Sequence, residues 1–78
     1  MNYNMKELRM KRLQKEVQER VLMNDGNLNK SFQDVLDNLY KEYDIYLDND
    51  RIVQSMDVMR DIKTLEEMIN KYNTQQNN

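Results

Sequence analysis

The stretch Ser31–Tyr43, SFQDVLDNLYKEY, places Phe32, Val35, Leu36, Leu39, Tyr40 and Tyr43 at i, i+3, i+4, i+7, i+8 and i+11. At 100° per residue this series draws one unbroken apolar stripe down a helix, and such a stripe has to lie on a core. Ser31 followed by Asp34 resembles a capping box with the shorter acid, and Asn29 is a rival cap. The spacing therefore predicts a helix over 31–43, and the rest of the chain is read outward from it.

Upstream, Tyr3, Met10, Leu13, Val17 and Val21 recur at intervals of three, four or seven and predict a first helix over 3–23. Glu7 with Lys11 and Glu16 with Arg20 stand in the favoured acid-before-base order at i,i+4. Asn24-Asp25-Gly26 supplies the stop, because glycine enters the left-handed region without a Cβ clash. Downstream, Asp44–Asn49 reads as a linker, and Asp48, Asn49 and Asp50 are all competent N-caps. A third helix over 50–72 carries Ile52, Val53, Met56, Met59, Ile62, Leu65, Met68, Ile69 and Tyr72, with Val58 near the stripe. Its apolar face drifts round the cylinder between the two halves, which suits coiling against a neighbour. Residues 73–78 form a polar tail with nothing to bury, expected to be disordered.

The sequence holds 78 residues, no Pro, one Gly, no Cys and no His. So few backbone breakers favour an all-α class. The length allows one domain, over 1–72, without a disulfide or a His/Cys zinc site to staple it. With 38% hydrophobic and 33% charged residues, a lone copy has little to bury, so the three helices are expected to form a small bundle or hairpin completed by dimerisation. The longest apolar run, Val21-Leu22-Met23, is far short of a membrane span, and the absence of Cys suits the cytoplasm. The bias toward Asn, Lys, Asp, Ile and Tyr is that of an AT-rich genome, a bacterium or its phage.

Charge is divided along the chain. Residues 1–30 hold seven bases and four acids, a net of +3, whereas residues 31–78 hold five bases and ten acids, a net of −5. The first helix is thus the candidate nucleic-acid surface, through Lys11, Arg12 and Lys15, although its bases alternate with Glu7, Glu16 and Glu19 as on a solvated face. Catalysis would fall to Asp/Glu, Lys, Tyr, Ser31 or Ser55, which form no recognisable constellation, so the chain reads as non-enzymatic, with no cofactor. Asp44, Asp48 and Asp50 are spaced like part of a calcium loop. However, Asn49 stands where a tight Gly is needed and Ser55 where a bidentate Glu is needed, so no metal site is expected.

Leu36-Asp37-Asn38-Leu39-Tyr40-Lys41-Glu42-Tyr43 is similar to the second helix of the small helical-hairpin phosphatases of sporulating bacteria. Gln33-Asp34 replaces the Ser-Gln signature of that family, so its activity is not carried over.

Contact with other proteins is the remaining reading. Met1, Met5 and Leu8 lie opposite the Met10-Leu13-Val17 stripe and are joined by Met23, and one core cannot bury both faces. Methionine adapts to irregular partners, and tyrosine buries area while keeping a polar tip. The candidate interface is accordingly Met1, Met5, Leu8, Met23, Tyr40, Tyr43, Tyr46, Leu65, Met68 and Tyr72. The function expected is that of a regulator or inhibitor of a larger protein, of the phage or mobile-element kind. A self-assembling scaffold and a nucleic-acid-binding regulator are the alternatives, and a homodimer is the expected state.

Overall fold

Asn4 begins the first helix by accepting the Lys6 N–H on its side-chain oxygen at 2.9 Å, which satisfies one of the orphan donors of an N-terminus. In the computed structural model, which describes residues 4–76, three helices follow: α1 (Met5–Met23), α2 (Leu28–Asp48) and α3 (Ile52–Gln76). Among the described residues there is no strand, and the helices pack against one another. Met1 and Tyr3 lie outside the described residues, as do Asn77 and Asn78.

Several boundaries differ from the sequence reading. The cap of α2 is Asn27, whose side chain accepts from Lys30 N–H at 3.0 Å, so the helix begins a turn before Ser31. Asp44–Asp48 is the last part of α2 and not a linker. Tyr46 stands three residues after Tyr43 and seven after Leu39, so it continues the buried stripe and holds that turn on the core. The helix α3 starts at Ile52, not Asp50, and runs four residues past Tyr72.

Both corners close in the same way. Asn24 caps α1, Asp25 and Gly26 take φ of +52° and +83°, and Gly26 N–H returns to Val21 O at 2.9 Å. Asn49 caps α2, Asp50 takes φ of +57°, and Arg51 N–H returns to Tyr46 O at 2.8 Å. This is the six-to-one bond of a left-handed helix terminus. Asp50 cannot open α3 because it is the residue that reverses the chain.

Ser31 and Asp34 serve the first corner in another role. Asn24 Nδ2 donates to Ser31 Oγ at 3.2 Å and to Asp34 Oδ2 at 3.0 Å, while Ser31 Oγ donates to Asn27 O at 2.6 Å. The hydrogen bond from Asn24, helped by Lys30, holds the Asp34 carboxyl below the usual carboxylate range.

The core is built from Leu13 and Val17 of α1, Phe32, Val35 and Leu39 of α2, and Val58, Ile62 and Leu65 of α3. α2 and α3 share the most extensive contact and run antiparallel, with the Phe32 and Tyr72 rings 5.7 Å apart at 47° and Tyr40 reaching Glu66 at 3.5 Å. α1 lies over this hairpin, more on α2 than on α3. No described helix is long and apolar enough to cross a membrane.

Two outcomes follow from the first corner. A Cβ on Gly26 would meet nothing within 4 Å, so the cost of Gly26→Ala is backbone strain alone, about 1 kcal/mol in urea denaturation. Because folding lowers the Asp34 pKa, its contribution is present at neutral pH and is lost as pH falls through the ordinary aspartate range, ~4, and below. Asp34→Asn should therefore be less stable than wild type at neutral pH and lose less stability on acidification, as thermal melts across that range would record.

Candidate functional site

The ionisable side chains that reach between helices are concentrated on one side of α3. Asp61 is buried, at 8% exposure, and receives Arg12 as a fork: Nη1 donates to Oδ2 at 3.1 Å and Nη2 to Oδ1 at 2.7 Å. Arg9 Nε lies 3.2 Å from the same Oδ1, and one turn of α1 earlier Lys6 meets Glu67 at 2.9 Å. Planar guanidinium groups suit a buried carboxylate because they meet both oxygens at once. The hydrogen bond to Asp61 raises the Arg12 pKa further above its ordinary value. The expected pairs Glu7–Lys11 and Glu16–Arg20 are not closed within 4.0 Å among the described residues; the cations of α1 that do pair are Lys6, Arg9 and Arg12, and they reach across to α3.

This pairing changes the reading of the basic helix. Arg12 is tied to α3 and is not part of a free cationic face, which leaves Lys11 and Lys15 exposed without it. Arg12 and Asp61 border a cleft of about 430 Å³ with Glu16, Glu19, Arg20, Asn38 and Glu42, where both signs interleave. A second groove, about 420 Å³, opens between α1 and α3 over Met10, Val17, Phe32, Met68 and Tyr72, with Gln14, Gln18, Lys71 and Gln75 among its other lining residues. Among the described residues, no group of three or more Asp or Glu is placed to hold a metal ion.

The expected interface residues separate into three groups. Met5, Leu8 and Met23 are exposed on α1, and Tyr40 is exposed on α2. Tyr43, Tyr46, Met68 and Tyr72 are partly buried against the core. Leu65 is corrected outright: it is fully buried between all three helices and offers nothing to a partner. Met1 is outside the described residues.

Besides these, a further exposed apolar surface was not singled out from sequence. It surrounds the α2–α3 corner: Ile45 and Leu47 in the last turn of α2, and Ile52, Val53 and Met56 at the start of α3, with exposures of 58, 37, 54, 71 and 52%. Ile52 and Met56 were expected in the core with Val58, but only Val58 is there. The reason is facing: Ser55 and Val58 are the buried positions of this part of α3, and Ile52, Val53 and Met56 fall to the other side of the helix, with the exposed Lys63 and Glu67. Fully burying such a side chain is worth about 1.5 kcal/mol or more, and the partial exposure of these five leaves part of that unrealised.

The same corner is electrostatically unbalanced. Asp44, Asp48 and Asp50 stand against Arg51 alone over 44–51, a net of −2, and none of the three acids has an ion-pair partner among the described residues. Asp44 and Asp48 sit in the last turns of α2, which carry no base, at the negative end of the helix dipole. Each such placement is unfavourable by about 0.3–1 kcal/mol. By contrast, α1 ends on Arg20, the favoured arrangement. No protein-family model matches this chain, and no curated protein or solved structure matches it either.

Asp61→Asn keeps the shape but removes the charge facing two guanidinium groups. It should lower stability by about 2 kcal/mol in urea denaturation. Lys6→Gln, which breaks only the exposed Glu67 pair, should cost less than about 0.5 kcal/mol. Equal costs would show that Asp61 is not the tie between α1 and α3.

Proposed function

We propose that this chain is a small, non-enzymatic, cytoplasmic interaction protein that regulates or inhibits a larger bacterial protein, of the phage or mobile-element kind, by docking through the bare apolar end of its α2–α3 hairpin. The observation that carries the reading is the gathering of Ile45, Leu47, Ile52, Val53 and Met56 at one corner, while all three helices contribute to the core elsewhere. Exposed large apolar side chains concentrated in one short segment are more often a contact site than singly scattered ones.

The placement of the ionisable groups supports a binding role over a catalytic one. A catalytic acid or base is a group in a cleft with a pKa moved toward its working pH. Arg12 is raised and Asp34 lowered, both away from neutrality, and both groups are held in bonds that fasten one helix to the next.

A second reading, a homodimer in which two copies cover each other's apolar faces, is favoured by the amount of bare apolar surface, which on α1 includes Met5, Leu8, Leu22 and Met23. The two readings differ in mass. Sedimentation at rising concentration reports one copy for the first and two for the second.

The test of the first reading is a double substitution on the bare corner. Val53→Asp with Met56→Asp removes exposed side chains, so it should leave helical circular dichroism intact and stability within about 0.5 kcal/mol of wild type. It should nonetheless abolish recovery of the target that the wild-type protein retains from bacterial extract. Equal recovery by both proteins would overturn the docking site.

A further inference from the structure

Resting on the homodimer reading above, we infer that two copies join through the outer faces of their α1 helices, laid antiparallel across a two-fold axis near Lys15. At 100° per residue, Met5, Leu8, Lys11, Lys15, Glu16, Glu19, Leu22 and Met23 fall within about 140° of arc, on the side of α1 turned away from the buried Leu13 and Val17. All eight are exposed. Because α1 lies over the α2–α3 hairpin, this face can meet another molecule without displacing a helix.

The occupant follows from the order along the face. From the N-terminus it runs apolar, basic, acidic, apolar: Met5 and Leu8, Lys11 and Lys15, Glu16 and Glu19, Leu22 and Met23. None of the four charged groups has an ion-pair partner among the described residues, whereas Arg12, on the same side, is already held by Asp61. Taken in the opposite direction, the order exchanges base for acid and keeps the apolar ends. A second copy laid antiparallel therefore brings Leu8 onto the partner's Leu22, and Lys11 and Lys15 onto the partner's Glu19 and Glu16, twice by symmetry. A parallel copy would set like charges together. The acids of the α2–α3 corner are a rival seat for Lys11 and Lys15, but Arg51 is the one base over 44–56, so that seat would leave Glu16 and Glu19 facing further acids.

Sedimentation of the full chain at rising concentration should show its mass double. Lys11→Glu with Lys15→Glu, and Glu16→Lys with Glu19→Lys, each give the face a single sign. Each pair of substitutions should keep helical circular dichroism and weaken self-association at least about tenfold, and an equimolar mixture of the two proteins should recover a dimer holding one of each. Orientation is read by cross-linking. Leu8→Cys mixed with Leu22→Cys should form a disulfide under air oxidation, whereas neither alone should link to itself, because like positions stand about 21 Å apart along an antiparallel pair. A doubled mass that both charge variants retain, or linkage of Leu8→Cys to itself, would overturn the α1 interface and leave the homodimer reading standing. So would loss of the doubled mass in Val53→Asp with Met56→Asp, which would put the contact at the corner instead. A single-copy mass at every concentration would overturn both.

Discussion

A carboxylate taken out of water needs positive partners, and in this fold only α1 provides them. Asp61 sits among apolar neighbours on α3, and leaving it unpaired there would cost several kcal/mol. Arg9 and Arg12, three residues apart on one helix, both converge on its Oδ1, so α1 has one register in which the pair closes. That register also brings Leu13 and Val17 onto the hairpin and Lys6 to Glu67. Apolar burial supplies most of the stabilisation, as in any small domain, but it is tolerant of sliding. The fork between Arg12 and Asp61 is directional, and it converts a general preference for covering the hairpin into one arrangement.

The small polar residues in the interior fit the same economy. Ser31, Ser55 and Thr64 are all buried, and each hydroxyl donates to a carbonyl of its own helix, at 2.6, 2.6 and 2.9 Å. No buried side-chain nitrogen or oxygen among the described residues lacks a partner. A hydroxyl satisfied within its helix demands nothing of the neighbour, so Ser55 and Thr64 bring helix surfaces together without a polar network between them, whereas Ser31 also accepts from Asn24 at the first corner. The corners are equally spare. Each reverses the chain through an Asn-Asp pair, with a left-handed aspartate where a glycine is the commoner choice.

Much of this architecture is legible in the residue spacing. The stripes Leu13-Val17, Phe32-Val35-Leu39 and Ile62-Leu65 were placed on the core by periodicity alone, and the structure buries them there. What was not legible has physical causes. Asp48, Asn49 and Asp50 are all competent N-caps, so Asp44–Asn49 read as a linker although Tyr46 kept the period. Asp61 three residues after Val58 and four before Leu65 marks an acid on a buried face, a signal that weighs little until the opposing helix is known. Ile52, Val53 and Met56 carry apolar spacing, but the buried side of this part of α3 is set by Ser55 and Val58, and a serine in the buried register hides that from a reading of apolar residues. For the candidate site this mattered most: of the residues expected at an interface, Leu65 is interior, and the bare corner lies among residues assigned to a linker and to the core.

The three helices have 19, 21 and 25 residues, or roughly 28, 31 and 37 Å of axial length, and the shortest is the one that lies across the other two. Cooperativity is therefore unevenly distributed. Near Leu13, Leu39 and Leu65, backbone amides are released to solvent only when all three helices separate. Around Asn49 they depend on two helices and a tight reversal, so amide hydrogen exchange there proceeds through a smaller, sub-global opening. The segment offered to a partner is thus also the part of the molecule that can loosen and re-form on its own, and any ligand that clamps it deepens the free-energy well of that segment first.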